Sequence, residues 1–263
     1  MLVEREKVKE VFDAYVKGYN DEDARIRLKI EHTYRVAALC ERIARSLKCT
    51  KEEIDLAWLI GMLHDIGRFE QLKNYGTFMD AKSINHAHYG VLLLFEKGLI
   101  RQFIASSQYD IVIRKSIENH NIYILPNDLD DYTLHFCNII RDADKIDILK
   151  VNALIPLETV YEFSEEEIKQ SIVSNEVLES FYQHQAVKHN LKKTPLDHVV
   201  GHISLAFELI FPVSFAIVEE QGYLRQLLNF KPSNEIAIEQ FQEIEKEMTN
   251  YCKLALELNG LNQ

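Results

Sequence analysis

The chain has 263 residues, of which 47% are hydrophobic and 27% charged, and its formal net charge is −11. This composition is typical of a globular protein, and the acidic balance argues against a general binder of nucleic acid or of acidic membranes. With only 9 Gly and 5 Pro, the chain is poor in the residues that an all-β fold with many turns requires.

The four cysteines contain no C-x-x-C pair, which argues against a disulfide framework and against a cysteine-based zinc module. The first ten residues are polar and charged, so they do not resemble the apolar part of a secretion signal. No apolar run approaches the roughly 20 residues that cross a bilayer. We therefore expect a protein of a reducing compartment and predict a cytoplasmic location without membrane attachment.

The first strongly periodic segment predicts a helix over residues 31–47. Its apolar stripe at helical spacing comprises His32, Val36, Leu39, Ile43 and Leu47. Thr50 and Glu53 then have the spacing of a capping box, which predicts that the next helix begins at residue 51. The helix over 51–66 is apolar on every side, so we expect it to be central and buried, with Gly67 as its end.

Residues 70–85 are polar and are predicted to form a loop. Further helices are predicted over 86–97, 109–120 and 130–150. The segments YGTFM and NIYIL are the only strand candidates, and both are short. Ser164 and Glu167 repeat the capping-box pattern, and the chain is predicted to be helical from there to about residue 258.

These elements predict an all-α protein. We expect one helical domain over residues 1–150 and a C-terminal helical extension over residues 151–263, packed on the domain or continuous with it. The extension either caps a pocket or forms the face of a homo-oligomer, and the sequence leaves both options open.

Polar residues interrupt the apolar helices in a way that indicates a metal site. His64 and Asp65 stand at the end of the most apolar helix, where a carboxylate beside an imidazole is costly without compensation. A divalent cation would compensate both groups. Two adjacent helical residues point about 100° apart, so both reach one ion only near a helix end.

Other histidines and acids have a similar setting. His32 lies on the inward stripe of its helix, and Asp144 shares a face with Ile140 and Ile148 in an otherwise apolar helix. His120 ends a helix on its apolar side. His86 begins a helix, four residues before Gly90, which is predicted to permit close helix packing. His88 is an alternative to His86 and is otherwise a substrate-facing or surface residue.

The order of these residues resembles the HD superfamily of metal-dependent phosphohydrolases. The resemblance rests on His32, MLHDIGR with His64 and Asp65, HAHYG with His86, ENHN with His120, and RDADKID with Asp144. It covers roughly residues 25–150 and implies an HD-domain helical bundle around the metal.

The resemblance implies two divalent metal ions. His32, His64, Asp65 and Asp144 would bind the first ion, and His86, His120 and the shared Asp65 would bind the second. A set of nitrogen and oxygen donors with four imidazoles suits Fe, Mn, Zn, Ni or Co better than Mg.

The mechanism expected from such a pair of ions is attack of a metal-activated hydroxide on phosphorus. Asp65 would then be a catalytic residue as well as a ligand. Arg68, one turn after the HD pair, and Lys145, beside Asp144, are the residues we expect to bind the phosphoryl group. Each is equally explained as a solvated cation near a helix end.

The predicted substrate is a nucleotide or another small phosphoester rather than a nucleic-acid polymer. Two other functions compete with this prediction. Some HD-fold proteins are diiron oxygenases with a similar ligand set, and a binding module could hold a structural metal. Outside the motif, His198 and His202 stand at i and i+4, but no Glu follows His198, so we predict structural or surface roles for both.

Overall fold

A computed structural model describes residues 3–20, 22–156 and 163–260 of the chain. These residues contain helices and no β-strand, which confirms the all-α prediction. The α-helices in chain order are α1 (Arg5–Val16), α2 (Ala24–Ser46), α3 (Lys51–Leu63), α4 (Ile66–Tyr75), α5 (His86–Val91), α6 (Ile100–Phe103), α7 (Asp110–Glu118), α8 (Asp131–Leu154), α9 (Glu165–Gln170), α10 (Asn175–Tyr182), α11 (Pro195–Ile203), α12 (Pro212–Gln221), α13 (Tyr223–Leu228) and α14 (Glu235–Gly260). The segments YGTFM and NIYIL are therefore not strands.

The described residues form two compact units, which divide between Ala143 and Asp144. The predicted boundary lies a few residues later, at 150, and both positions fall inside α8. None of the described helices is long and apolar enough to cross a membrane.

The first unit is organised around α3. Every residue of this helix from Ile54 to Leu63 is buried, as expected for a helix that is apolar on all sides. The capping box at its start is present, with Thr50 and Glu53 each bonding to the other's backbone. Helix α2 packs closely against it, because a Cβ on Gly61 would lie only 2.6 Å from the Cα of Ala37.

The prediction that Gly67 ends this helix is wrong. Helix α3 ends at Leu63, and a new helix, α4, begins at Ile66, so Gly67 lies inside its first turn. The reason for the glycine is packing: a Cβ there would lie 2.3 Å from the carbonyl oxygen of His86 and 2.6 Å from the nitrogen of Gly90. The backbone of α5 thus approaches α4 where both lack a side chain, which confirms the packing role predicted for Gly90.

The polar segment 70–85 is also more helical than predicted. Helix α4 continues to Tyr75 and ends at Gly76, whose φ of 70° is the left-handed conformation that glycine adopts without strain. The connection that remains, 76–85, contains a 3₁₀ turn at Asp80–Lys82 and leads to Asn85, whose side chain caps α5. Helix α5 runs into a π-helical segment, Leu92–Glu96.

The second unit is also helical in the residues described. Ser164 and Glu167 form the predicted capping box at the start of α9. Asp197 is buried and closes another such box with Thr194 at the start of α11. The long helix α14 packs its apolar face against α12 and α13, as the helical periodicity predicts.

The contact between α4 and α5 predicts the effect of enlarging Gly67. We expect Gly67→Ala to lower the free energy of unfolding by roughly 1–3 kcal/mol, because the new methyl group collides with backbone that cannot move aside cheaply. This loss should appear although alanine adds about 1 kcal/mol of helix propensity. Urea denaturation followed by circular dichroism measures the change.

Gly18→Ala is the matched control, since a Cβ at Gly18 would meet only the Tyr15 carbonyl oxygen, at 3.3 Å. A Gly67→Ala protein as stable as this control would contradict the close approach of the two helices.

Candidate metal centre

The pair His64 and Asp65 occupies the joint between α3 and α4. Helix α3 ends one residue before His64, and α4 begins one residue after Asp65. The break in the helix lets two adjacent side chains converge, which a continuous helix would prevent. Both residues are buried, His64 completely and Asp65 to within 2% of its surface.

Four imidazoles surround Asp65 in two pairs. The Nε2 atoms of His32 and His64 lie 3.3 Å apart, and those of His86 and His120 lie 3.0 Å apart. All four residues are buried. They come from α2, from the ends of α3 and α7, and from the start of α5, so the centre is assembled from separate helices.

The carboxylate of Asp65 faces one imidazole pair with each oxygen. Its Oδ2 is 3.5 Å from Nε2 of His32 and 3.6 Å from Nε2 of His64. Its Oδ1 is 3.3 Å from Nε2 of His86 and 3.8 Å from Nε2 of His120. This is the arrangement expected of a carboxylate shared between two cation positions.

Hydrogen bonds at the other ring nitrogen orient three of the imidazoles. Nδ1 of His64 donates to the carbonyl oxygen of Gly61 at 2.8 Å, and Nδ1 of His120 donates to that of Ile117 at 2.7 Å. Because a carbonyl oxygen can only accept, each Nδ1 carries the proton and each Nε2 keeps its lone pair. Histidines that bind metals are usually held in this way.

His86 has the same orientation through a carboxylate. Its Nδ1 donates to Oδ2 of Asp80 at 2.7 Å, which leaves Nε2 as the nitrogen that faces Asp65. Burial and the nearby Arg68 guanidinium lower the pKa of His86 to about 4. The ring is therefore neutral near pH 7, the form in which histidine binds a metal.

The spacing of the donors fits divalent ions. Two nitrogens at about 2.1 Å from one ion, at an angle of about 90–109°, are roughly 3.0–3.4 Å apart. The two Nε2 separations, 3.3 and 3.0 Å, fall in this range. His64, Asp65 and His120 offer ligand atoms that all lie within 4.8 Å of one another.

Asp144 lies on α8, the helix that begins in the first unit and runs through the division between the units. Within the first unit the structure brings five of the six predicted ligands together, and the role of Asp144 as the sixth stays a prediction. Their binding of metal stays a prediction.

Lys29 is the neighbour of Asp65 that the sequence reasoning missed. Its Nζ lies 2.7 Å from Oδ2 of Asp65. Burial opposes ionisation of Asp65, but the charge of Lys29, followed by those of the surrounding residues, holds the pKa of this carboxyl well below its usual range. Lys29 stands three residues before His32 on α2, so helical spacing from the predicted ligand was a signal that could have found it.

Arg68 is held near the centre by one of its terminal nitrogens. Nη1 donates to Oε1 of Gln71 at 2.9 Å and to Oδ1 of Asp80 at 2.8 Å, and it also reaches the carbonyl oxygen of Phe78. Nε lies 3.6 Å from Oδ1 of Asp65. In the described part of the chain this buried Nε has no hydrogen-bond partner. The predicted role of Arg68 in phosphate binding stays a prediction.

Lys145 is paired with an acid. Its Nζ lies 3.1 Å from Oε2 of Glu208, and both side chains are largely buried in the second unit. This ion pair accounts for a buried lysine without a substrate. The role of Lys145 at a phosphoryl group stays a prediction.

Hydrogen bonds to Asp80 link the connection 76–85 to the metal centre. One oxygen accepts from His86, and the other accepts from Arg68 and from Nε2 of Gln71, at 2.9 Å. Burial raises the pKa of this carboxyl, but the hydrogen bond and charge of His86, the charge of Arg68 and the hydrogen bond from Gln71 together outweigh burial and bring the pKa to about 2. Nothing in the sequence distinguishes Asp80 from the other acids of a polar segment.

Comparison with protein families identifies the domain. A family model for the HD domain matches residues 30–149, a segment that contains all six predicted ligands. Residues 30–149 therefore form an HD domain, which confirms the resemblance carried by the sequence motifs. HD domains bind divalent metals and belong to a superfamily of metal-dependent hydrolases. Searches of curated proteins and of solved structures return no match to the chain.

The shared position of Asp65 predicts the metal content of ligand variants. We expect Asp65→Ala to lose both ions and His120→Ala to lose about one of two, because only the first removes a donor from both imidazole pairs. Inductively coupled plasma mass spectrometry of purified protein measures the metal. His88→Ala is the control, since His88 is exposed on the same helix as His86. Full metal content in Asp65→Ala would contradict the shared carboxylate.

The hydrogen bond from His86 to Asp80 predicts that loss of Asp80 weakens the binding of one of the two ions. Asp80→Ala should lower the affinity for one ion by about 10–100-fold, since the ring of His86 loses its orienting acceptor. Competition with a chelating dye measures the affinity. The exposed loop variant Asp128→Ala should bind both ions as the unmodified protein does. Equal metal affinities in Asp80→Ala and Asp128→Ala would show that Asp80 does not contribute to metal binding.

Proposed function

We propose that this protein is a metal-dependent phosphohydrolase that acts on a nucleotide or another small phosphoester. The observation that supports the proposal is the pairing of His32 with His64 and of His86 with His120 on opposite oxygens of Asp65. Two cation positions that share one carboxylate suit in-line displacement at phosphorus.

The residues that would hold the ions follow from this pairing. With Asp144 added from the motif resemblance, His32, His64 and Asp144 would hold one ion and His86 and His120 the other, with Asp65 common to both. Neutral imidazoles and carboxylates favour Fe, Mn, Zn, Ni or Co. Bound divalent ions lower the pKa of a coordinated water towards 7 and neutralise charge on phosphoryl oxygens.

The residues of the chain itself bind and orient the substrate. Lys29 shares Oδ2 of Asp65 with the nearest imidazoles, so it competes with a cation for that oxygen. In the loaded centre Lys29 donates to a phosphoryl oxygen instead. The centroid of the Phe78 ring lies 5.7 Å from Nζ of Lys29 and 5.8 Å from Cζ of Arg68. The ring therefore restricts the positions of these two side chains.

Arg68 is the second positively charged side chain beside the centre, after Lys29. Its Nη1 is committed to the connection 76–85, whereas its buried Nε has no acceptor among the described residues. A guanidinium held at one end is pre-organised, so little side-chain entropy is lost when Nε meets an oxygen of the substrate. The net charge of −11 favours a small substrate over a nucleic-acid polymer.

The experiment that tests the proposal is a panel of phosphomonoesters, phosphodiesters and nucleoside di- and triphosphates, offered to protein loaded with Mn, Co, Zn, Ni or Fe. We expect release of phosphate or of a phosphorylated product from at least one class. Asp65→Ala should abolish turnover, and Lys29→Met should lower kcat/KM by roughly 10²-fold, because it removes a charge that acts on the phosphoryl group.

Lys73→Met is the matched control, because Lys73 is exposed and its ammonium contacts Glu70 and the ring of Tyr19, and it should retain full kcat/KM. Oxygen uptake that requires iron, without release of phosphate, would show that the protein is a diiron oxygenase and not a hydrolase. Intact substrates with every metal would refute the hydrolase.

A further inference from the structure

A cavity of about 300 Å³ lies in the second unit, between α12, α13 and α14. Each of these helices packs against the other two, and all the residues that line the cavity belong to this unit. Protein interiors are close-packed and contain few voids larger than a water molecule. A space of this size is therefore a feature that the packing of three helices does not by itself explain.

The inner wall of the cavity is apolar. It is formed by buried side chains from all three helices, namely Phe215, Val218, Leu224, Leu228 and Met248. Cys252 continues this wall, and its Sγ lies 3.8 Å from Sδ of Met248. Burial raises the pKa of the Cys252 thiol to about 11. The thiol is therefore neutral near pH 7 and behaves as a small apolar side chain.

Helix α14 determines the length of the cavity. Met248, Cys252 and Leu256 line it at four-residue spacing, so the wall from 248 to 256 extends about 12 Å at a helical rise of about 1.5 Å per residue. An apolar cavity of about 150 Å³ holds benzene, which has six carbons, so one twice as large accommodates roughly twelve non-hydrogen atoms. These dimensions suit a straight chain with a small head group.

The mouth of the cavity is polar and exposed. Its side chains are Glu219, Arg225, Thr249, Lys253 and Glu257. Arg225 pairs closely with Glu219, whereas Nζ of Lys253 lies 3.7 Å from Oε1 of Glu257, which is beyond hydrogen-bond distance. The arginine, the threonine and the lysine can donate hydrogen bonds, and only the two carboxylates cannot. An additional acceptor at the mouth is therefore satisfied more readily than an additional donor.

We propose that this cavity binds a straight-chain monocarboxylate of about ten carbons, with its chain along the apolar wall and its carboxylate at Lys253. Burial of each methylene of the chain is favourable, and the carboxylate stays at the exposed mouth, where it keeps its contact with water. The site lies outside the HD domain at residues 30–149. It goes beyond the proposed hydrolase activity and requires no metal.

Protection of Cys252 from a thiol reagent tests the site. Full-length protein reacts with N-ethylmaleimide in the presence and absence of decanoate below its micelle concentration, and peptide mass spectrometry measures the rate at each cysteine. We expect decanoate at about ten times its dissociation constant to slow the modification of Cys252 roughly tenfold, because the chain covers the thiol. Cys49 is the internal control, since it is also partly exposed but lies in the first unit.

Further ligands and variants separate the chain from the head group. Acetate has the carboxylate without the chain and should not protect Cys252, and decylamine, which has the opposite charge, should bind more weakly than decanoate. Lys253→Met should weaken decanoate binding about two- to fivefold, because an exposed charge pair contributes modestly. Lys246→Met is the matched control, since Lys246 is exposed on the same helix and does not line the cavity. Circular dichroism melts establish that both variants are folded.

Several results would overturn the proposal. Unchanged modification of Cys252 with decanoate, or equal protection of Cys49 and Cys252, would show that the cavity does not hold the chain. Tighter binding of decylamine than of decanoate, or unchanged decanoate affinity in Lys253→Met, would show that the head group is not a carboxylate at Lys253. Because these measurements follow a thiol of the second unit and no turnover, they leave the hydrolase proposal to its own test.

Discussion

The structure of the first unit depends on one buried carboxylate. Asp65 is removed from water at the joint of two helices, where an uncompensated negative charge would cost several kcal/mol. The protein surrounds it with the ammonium of Lys29 and with four imidazoles that point their Nε2 atoms towards its two oxygens. The stability of this region and its affinity for cations therefore have the same physical origin.

Close helix packing brings the imidazoles within reach of that carboxylate. The backbones of α4 and α5 approach at Gly67 and Gly90, and those of α2 and α3 approach at Gly61. Each contact lies within a few residues of a predicted ligand. A side chain at Gly61 or Gly67 would overlap the backbone of the neighbouring helix and so would move it by more than the tolerance of a metal site, which is about 0.5 Å.

Hydrogen bonds beyond the ligands determine which nitrogen each ring presents. Backbone carbonyls orient His64 and His120, whereas a side-chain carboxylate, Asp80, orients His86. The difference matters because the carbonyls belong to the same helices as their histidines, while Asp80 lies in the connection 76–85. The position of His86 thus depends on how that connection folds, and through it on Arg68 and Gln71.

Helical periodicity and the spacing of polar residues in apolar helices determined the all-α class, the capping boxes and the residues that meet around Asp65. These features are local, so they can be read from residues close together in the chain. Family similarity over 30–149 agrees with that reading. Only the tertiary structure decided that Gly67 packs rather than terminates, that Lys29 neutralises Asp65, and that Asp80 orients His86. The first two depend on contacts between segments distant in sequence, and the third depends on how the connection 76–85 folds, which no local pattern records.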